Sequence, residues 1–342
     1  MPSRRSARTV VVTGGSAGIG RAVGRLFAQK GCRVGVIARG EERLKDAVVD
    51  LERRGAAKAA YAVADVSNAA ALEAAADHLE AELGPIEVWV NDAMLTIYSP
   101  FLDIKPEEYE RITKVTYLGQ VNGTRAALKR MAPRRRGSIV NVSSGLAYRG
   151  IPLQSAYCGA KFAIRGFFES IRSEIEHDDL GINMSMVHLP GINTPQFDWA
   201  PNRMPRQVQP VPPIYQPEVP ARAIVRAADT GERDLYVGLP TLKLMAGTLL
   251  APALMDRLMA IKTWKGQQTR HPVLPGRAED EGNLFEPSPL PIAAHGRFDR
   301  RAKDRGIVLN GSELRALLFL SPFAVGAMVG LLGSALLRRR LA

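Results

Sequence analysis

The sequence TVVVTGGSAGIG at residues 9–20 joins a short β-branched run to a glycine-rich turn. The run predicts a buried strand, and apolar residues that recur at helical spacing from Ile19 to Phe27 predict a helix directly after the turn. In that setting glycines allow backbone N–H groups to approach a pyrophosphate, whereas an isolated glycine turn only needs positive φ. The residues predicted to hold a dinucleotide here are Thr13, Gly14, Ser16, Gly18, Ile19 and Gly20.

Two positions after the next strands bear on which dinucleotide is bound. Arg39 stands nineteen residues past Gly20, where a chain specific for NAD places an acidic residue for the ribose 2′-hydroxyl. A guanidinium there suits a 2′-phosphate and predicts NADP(H); the alternative is a solvated surface arginine. Asp65 and Val66 end the third predicted strand, where they are expected to meet the adenine, although Asp65 is also a helix-cap residue type.

Short β-branched runs alternate with stretches of helical period from residue 9 to about 190. This alternation is typical of repeated βα units, so we expect an α/β fold with one doubly wound, Rossmann-like parallel sheet of about seven strands. The predicted strands are Thr9–Val12, Arg33–Ala38, Ala59–Val63, Ile86–Val90, Ser138–Val142, Asn183–His188 and Asp234–Val237.

Composition sets the broad class. The 342 residues are 46% hydrophobic and 23% charged, as in folded globular proteins. Lys and Arg exceed Asp and Glu by 46 to 34, and the resulting charge of +12 favours an anionic partner without selecting one. No nucleic-acid motif accompanies the basic clusters, so we expect no nucleic-acid partner. Two cysteines are too few for a disulfide scaffold, and the body is expected to be reduced.

Ser144, Tyr157 and Lys161 form a second constellation. The serine follows a predicted strand, and the tyrosine and lysine stand four positions apart on a predicted helix, hence on one face. A phenol titrates at about pH 10 in water, and a neighbouring ammonium favours its ionised form. We therefore predict that Tyr157 exchanges a proton with a substrate oxygen that Ser144 holds. Taken alone, a Tyr-x-x-x-Lys pair is an ordinary exposed helical pair.

With these motifs in this order, the chain resembles the short-chain dehydrogenase/reductase family over roughly residues 9–195. The resemblance implies one Rossmann-like domain that interconverts an alcohol and a carbonyl, with Lys161 also contacting the nicotinamide ribose, Thr194 near the carboxamide, and a pocket closed by the segment after Pro190. It rests on the glycine turn, Asp65-Val66, Asn91-Asp92-Ala93, Asn141 to Ser144, Tyr157 with Lys161, and Pro190-Gly191 with Thr194. Accordingly, Asn91, Ala93, Pro190, Gly191 and Thr194 are also expected at the cofactor.

The chain departs from the family pattern at three positions. Asp92 stands where a second asparagine is usual, and Met94 where a glycine is usual. Thr116 replaces the catalytic asparagine of the family, and we expect its hydroxyl to hold a water beside Lys161. These departures leave open a cofactor-binding sensor or scaffold protein with weakened turnover.

The C-terminal third is expected to extend the enzyme body. Nine prolines between Pro190 and Pro220 predict a long loop or lid. The expected order is a basic tail over residues 1–8, the oxidoreductase domain over 9–240, an apolar cap or surface helix over 241–265, a flexible linker over 266–312 and a transmembrane tail over 313–342.

Ala316 to Leu337 contains 22 residues without a charge, which as a helix spans about 33 Å and matches a bilayer. Arginines upstream of it outnumber those downstream, so the enzyme body is expected at the cytoplasmic face of a membrane. The alternative is a helix packed on a partner subunit. We also expect a lipophilic carbonyl or alcohol substrate and, from the resemblance, a homo-oligomer.

Overall fold

Seven parallel strands and one antiparallel edge strand form the central sheet of the computed structural model, which describes residues 7–273, 282–288 and 293–316. The strands are β1 (Thr9–Thr13), β2 (Arg33–Ala38), β3 (Lys58–Val63), β4 (Ile86–Asn91), β5 (Gly137–Ser144), β6 (Ile182–Leu189), β7 (Arg206–Val208), β8 (Asp234–Val237), β9 (Gln268–Pro272) and β10 (Val308–Asn310). The sheet order is β10-β8-β6-β5-β4-β1-β2-β3, and β7 pairs with β9 separately. The order reverses direction at β1, which places a ligand crevice at the carboxyl ends of β1 and β4.

Helices cover both faces of the sheet. They are α1 (Gly18–Gln29), α2 (Glu41–Arg53), α3 (Ala69–Leu83), α4 (Pro106–Thr113), α5 (Gly119–Met131), α6 (Ser155–His177), α7 (Gln196–Trp199), α8 (Glu218–Thr230), α9 (Gly238–Leu250), α10 (Pro252–Leu258) and α11 (Trp264–Gly266). A π-helical turn at Lys114–Leu118 joins α4 to α5, and another at Met259–Thr263 joins α10 to α11.

Alternate residues of the central strands supply two apolar layers. Val10 and Val12 pack with α1, α2 and α8 on one face, whereas Val11 packs with α3, α5 and α6 on the other. Because both faces are covered, the central strands are apolar throughout, as parallel strands usually are. The doubly wound α/β fold predicted from the sequence is therefore confirmed.

The expected count of about seven strands is one too low. Each of the seven predicted strands is present within two residues of its expected bounds. The additional strand, β10, pairs antiparallel with β8 in the register Val308 to Val237. β10 has only three residues, which is too short to show the alternation of apolar and polar residues that predicts a strand. The surrounding sequence is rich in glycine, proline and charge, so it gave no other signal.

The described part of the expected linker, residues 266–312, contacts the domain instead. β9 pairs with β7, and β10 joins the main sheet. Leu284 is fully buried, and Phe298 packs with Tyr98 and Phe197 in a small apolar cluster. A few apolar side chains spaced along a polar segment are enough to fasten it, although they give no periodic signal.

The predicted transmembrane tail lies, beyond Ala316, outside the described residues. Within the described residues, no helix has both the length and the apolar character needed to cross a bilayer. At the other end, Arg8 pairs with Asp229 on α8, while residues 1–6 also lie outside the described part.

Candidate active site

A cavity of about 980 Å³ opens at the carboxyl ends of the central strands. Residues of the proline-rich segment after Pro190 and of the helices α9 and α10 line it. The predicted site residues that line this cavity are Gly14, Ser16, Gly18, Ile19, Arg39, Asp65, Val66, Ala93, Ser144, Tyr157, Lys161, Pro190, Gly191 and Thr194.

The glycine turn after β1 fits a dinucleotide. Gly14 has φ of +73°, and a Cβ there would lie 2.9 Å from the Cα of Ala93. A Cβ on Gly20 would lie 2.5 Å from the carbonyl oxygen of Gly14. The turn thus needs glycine to close against β4, and the N–H of Gly18 donates to an oxygen across the cleft, the Ala293 carbonyl, at 3.1 Å. An N–H at a helix start that already binds an oxygen is suited to a phosphate oxygen.

Three predicted cofactor residues instead support the turn from behind. Thr13 accepts hydrogen bonds from the backbone N–H groups of Asp92 and Ala93 at 3.2 and 3.4 Å. Asn91 is buried and donates to Asn141 and Thr124 at 2.8 and 3.1 Å. Thr13, Asn91 and Gly20 do not line the cavity, so their contribution is to hold the neighbouring residues in place.

Tyr157 and Lys161 lie on the same face of α6. The Nζ atom of Lys161 is 5.5 Å from the centroid of the Tyr157 ring and donates to the carbonyl oxygen of Val142 at 2.8 Å. The Ser144 hydroxyl hydrogen-bonds with Tyr157 and also accepts from the N–H of Leu146 at 3.1 Å. The three side chains thus meet beside the glycine turn, as the sequence predicts.

Burial, rather than the ammonium of Lys161, dominates the acidity of Tyr157. Burial raises the pKa of Tyr157 above its ordinary value, and the hydrogen bond from Ser144 offsets only part of this effect. Burial also lowers the pKa of Lys161 to about 8. The expectation that the protein alone lowers the tyrosine pKa is wrong, because both groups lose water and the phenolate and the ammonium are both disfavoured.

Asp92, at the position where asparagine is usual, is the nearby acidic group. Burial raises the pKa of Asp92 to about 7, although Lys161 and the N–H of Gly20 oppose this effect. In turn, Asp92 raises the pKa of Lys161 against the effect of burial. The aspartate therefore helps to keep the lysine charged in a site that otherwise favours its neutral form.

The hydroxyl of Thr116 is held by the backbone of Leu95. It donates to the carbonyl oxygen of Leu95 at 3.0 Å and accepts from the N–H of the same residue at 2.9 Å. The side chain is fully buried and does not line the cavity. The predicted relay role for Thr116 therefore finds no geometric support, because the backbone of residue 95 uses both hydrogen-bonding directions of the hydroxyl.

Gln120 is a polar residue near the site that sequence reasoning missed. Its Nε2 atom donates to the Val142 carbonyl oxygen at 2.9 Å, and the same oxygen accepts from Lys161. The side chain is buried, and its Oε1 atom has no partner among the described residues. Its position one turn after Thr116 was the available signal, since residues four apart share a helix face.

Replacing Gln120 by Met should lower kcat by about threefold to tenfold with little change in KM, because Lys161 then holds the Val142 oxygen alone and can shift. The measurement is the pH dependence of kcat, whose alkaline limb should move. Thr116→Val is the comparison, and we expect it to lower stability without moving that limb. An unchanged profile for Gln120→Met would show that the amide only fills space.

Arg39 lies in the cavity wall, but not as a solvated surface arginine. Its guanidinium donates to the carbonyl oxygens of Asn283, Leu284 and Phe285, at 2.5 Å for the first of these. Arg111 donates to the same Leu284 oxygen at 2.9 Å and pairs with Asp65. The adenosine end of the expected cofactor site is thus covered by protein.

The described residues 282–288 and 293–298, here called the strap, contact the groups that a dinucleotide needs. Ala293 accepts from Gly18, and the carbonyls of residues 283–285 accept from Arg39. The buried side chain of Leu284 anchors the strap in the apolar layer that also contains Val66. Cofactor binding through those donors therefore requires these strap contacts to break.

Leu284→Asp should bind NADPH about tenfold more tightly than the unmodified chain, because a charge cannot stay in that apolar layer and the strap is released. Fluorescence titration of NADPH measures the change. Phe285→Asp is the matched control, since its side chain is 38% exposed and little burial is lost. Weaker NADPH binding by Leu284→Asp would mean that the strap forms part of the cofactor site.

Comparison with known proteins agrees with this geometry. A model of the family described as short chain dehydrogenase matches residues 8–202. The chain is 34% identical to the uncharacterized oxidoreductase YxnA of Bacillus subtilis over 82% of its own length and 78% of that protein. It is 29% identical to 3-ketodihydrosphingosine reductase of Bos taurus, over 67% of its own length and 70% of the relative. A further relative, 3-oxoacyl-[acyl-carrier-protein] reductase FabG of Chlamydia muridarum, is 35% identical over 52% of this chain and 71% of its own.

Proposed function

Because the chain belongs to the short-chain dehydrogenase/reductase family, we propose that it is an NADP(H)-dependent oxidoreductase that interconverts an alcohol and a carbonyl on a lipophilic substrate. The observation that carries the proposal is the meeting of Ser144, Tyr157 and Lys161 beside the glycine turn. In the reductive direction, the nicotinamide supplies the hydride when bound.

The protein supplies the proton and the orientation. The Tyr157 hydroxyl gives its proton to the carbonyl oxygen as the alcohol forms, and the Ser144 hydroxyl donates a hydrogen bond to that oxygen. Lys161 lies beside the phenol and stabilises the negative charge that the proton transfer leaves on it. In the oxidative direction the same phenolate takes the proton back.

Arg39 supports the choice of NADP(H). It is the cation that the cavity wall places at the end of β2, where a 2′-phosphate would lie, and its current partners are neutral carbonyls that an anion can replace. Arg43 also lines this end of the cavity. Two guanidinium groups in the cavity wall favour a ribose that carries a 2′-phosphate over one with a free 2′-hydroxyl.

Apolar side chains around the deeper cavity support a lipophilic substrate. Leu95, Ile151, Leu244, Met255 and Leu258 line it. The names of two relatives describe reductases of 3-ketodihydrosphingosine and of 3-oxoacyl-[acyl-carrier-protein]. We therefore propose that the substrate is a ketone on a long apolar chain and that the product is the corresponding secondary alcohol.

A two-by-two turnover assay tests this function, with NADPH or NADH against a long-chain or a short-chain 3-oxo ester. We expect NADPH with the long-chain ester to give the highest kcat/KM, and Arg39→Ser to reduce the NADPH rate at least tenfold while changing the NADH rate little. Equal rates with both cofactors would contradict the NADP(H) assignment, and a preference for the short ester would contradict the substrate class.

The alternative is a cofactor-binding sensor or scaffold protein with weakened turnover. It is favoured by Thr116, whose hydroxyl is hydrogen-bonded to the backbone of Leu95, and by the strap across the cofactor donors. This alternative predicts saturable NADPH binding with no turnover on any carbonyl of the panel.

Residues 316–337 are proposed to tether the enzyme body to the cytoplasmic face of a membrane. Retention of the chain in the membrane fraction after carbonate extraction is the expected result. Complete release by carbonate would support the alternative that this segment packs on a partner subunit in a homo-oligomer.

A further inference from the structure

The cap helices carry an unusual concentration of exposed apolar side chains. Of the fourteen large hydrophobic residues that are exposed in the described part of the chain, six lie between residues 239 and 264. Leu249 and Leu250, at the end of α9, are 83% and 80% exposed. A concentration of exposed apolar side chains in one part of a folded protein points to a contact site there.

The segment of α10, the π-helical turn and α11, here called the second cap helix, has exposed apolar residues. Leu254, Ile261 and Trp264, here called the apolar stripe, are 56%, 64% and 39% exposed. Met255 and Thr263 of the same segment are buried. The segment is thus anchored by buried side chains and presents the apolar stripe to solvent.

The buried side of the same helices belongs to the catalytic cavity. Leu244 of α9 and Met255, Leu258 and Met259 of the second helix line the cavity wall. One pair of helices therefore separates the cavity from the apolar stripe. Whatever contacts the stripe lies directly outside the substrate end of the active site.

Four of the five charged side chains of residues 238–266 are positive. Lys243, Arg257, Lys262 and Lys265 are exposed, and none of them makes an ion pair with a described residue; Lys243 and Lys262 also line the cavity, whereas Arg257 and Lys265 do not. Asp256 is the single acidic residue of 238–266, and Arg149 pairs with it. The surface thus offers apolar side chains and free cations together, and its one carboxylate is already neutralised.

We propose that this cap surface, the outer face of residues 238–266, docks on an anionic lipid bilayer. Leu249, Leu250, Leu254, Ile261 and Trp264 would enter the boundary between headgroups and acyl chains, and Arg257 and Lys265, the two cations of the surface that do not line the cavity, would contact lipid phosphates. Apolar side chains ringed by lysine are typical of interfacial helices, whereas lysine is depleted in protein–protein interfaces. The further consequence that substrate enters from the bilayer rests on the lipophilic substrate proposed above.

Quenching of Trp264 by brominated lipids tests the docking itself, without cofactor or substrate. The full chain is mixed with vesicles of equal parts phosphatidylcholine and phosphatidylglycerol that carry brominated acyl chains. Trp89 is fully buried and Trp199 stacks on Arg43, so quenching should come from Trp264 and be lost in Trp264→Phe. Vesicles of phosphatidylcholine alone should bind at least tenfold more weakly, because each basic residue near an anionic surface contributes to binding.

A double variant separates this surface from the C-terminal segment. Leu249→Glu with Leu250→Glu should reduce quenching of Trp264 at least tenfold, whereas the control Leu102→Glu, at a side chain that is 91% exposed elsewhere, should not. Vesicle attachment with Trp264 unquenched would show that residues beyond 316 bind alone and would overturn the proposal.

A second outcome also overturns it. If sedimentation shows a dimer that the double variant converts to a monomer, while vesicle quenching is unchanged, the cap surface contacts a second copy rather than lipid. Turnover of a soluble ketone, measured without vesicles, is independent of docking. Its failure would contradict the proposed function and leave the docking result standing.

Discussion

The Tyr157→Phe variant should lose turnover by about 10³-fold or more while still binding NADPH, since it lacks the one proton that the site can give to the substrate oxygen. Ser144 remains in that variant, but a serine hydroxyl is a far weaker acid than a phenol, and this one also donates to the carbonyl oxygen of Leu189 at 3.4 Å. Steady-state rates together with an NADPH titration separate the lost chemistry from any lost binding.

Tyr148→Phe is the matched control. Tyr148 is also a partly buried tyrosine whose pKa burial raises, but its hydroxyl contacts His188 and Tyr236 at 3.3 Å and does not line the cavity. We expect it to keep turnover within a few fold. Near-normal turnover in Tyr157→Phe would remove the proton-transfer role from that residue and with it the mechanism.

Asp92→Asn should raise the free energy of unfolding by about 4 kcal/mol at pH 8 and by nearly nothing at pH 4. Burial raises the pKa of Asp92 from 3.8 to about 7, so between these values the folded protein holds a proton that the unfolded chain releases. Stability therefore falls as the pH rises through this range, and the loss is complete above it. The amide of asparagine does not ionise, so Asp92→Asn should not lose stability in this pH range.

Denaturant unfolding at several pH values measures this difference. Asp65→Asn is a control of opposite sign, because hydrogen bonds from Arg111 and Ser67 outweigh burial and lower the pKa of that carboxyl. It should destabilise the protein at neutral pH. The Asp92 variant should also move the alkaline limb of the rate profile downwards, because Lys161 loses a neighbouring anion. If Asp92→Asn and the unmodified protein were equally stable at pH 8, the ionised carboxylate of Asp92 would not destabilise the folded protein.

Local sequence patterns were sufficient to predict the repeated βα units and the turn that requires glycine at a positive φ. The β-branched runs gave the parallel strands, and Gly14 could be recognised because positive φ and close approach to Ala93 both require glycine. The spacing of Tyr157 and Lys161 gave their common face, since a helix brings residues four apart together.

The features that the sequence did not predict depend on contacts between residues that are far apart in the chain. Arg39 could be located, but its partners are 244 to 246 residues away along the chain, and no local pattern links them. The same holds for the pairing of β10 with β8 and for the hydroxyl of Thr116, whose partner is a backbone group. The direction of the Tyr157 pKa depends on how much water the folded cavity admits, which composition and spacing do not specify.

The strap lies between two paired strands, so it is tethered at both ends close to the site that it covers. β9 ends at Pro272 and β10 begins at Val308, so both ends of the intervening chain are fastened to the domain. Such a tethered segment competes for its site at an effective concentration on the order of millimolar, which dilution of the protein does not reduce. An apparent cofactor affinity measured on this chain would therefore already include that competition, which changes in the strap or in the groups that hold it, such as Arg39, would alter.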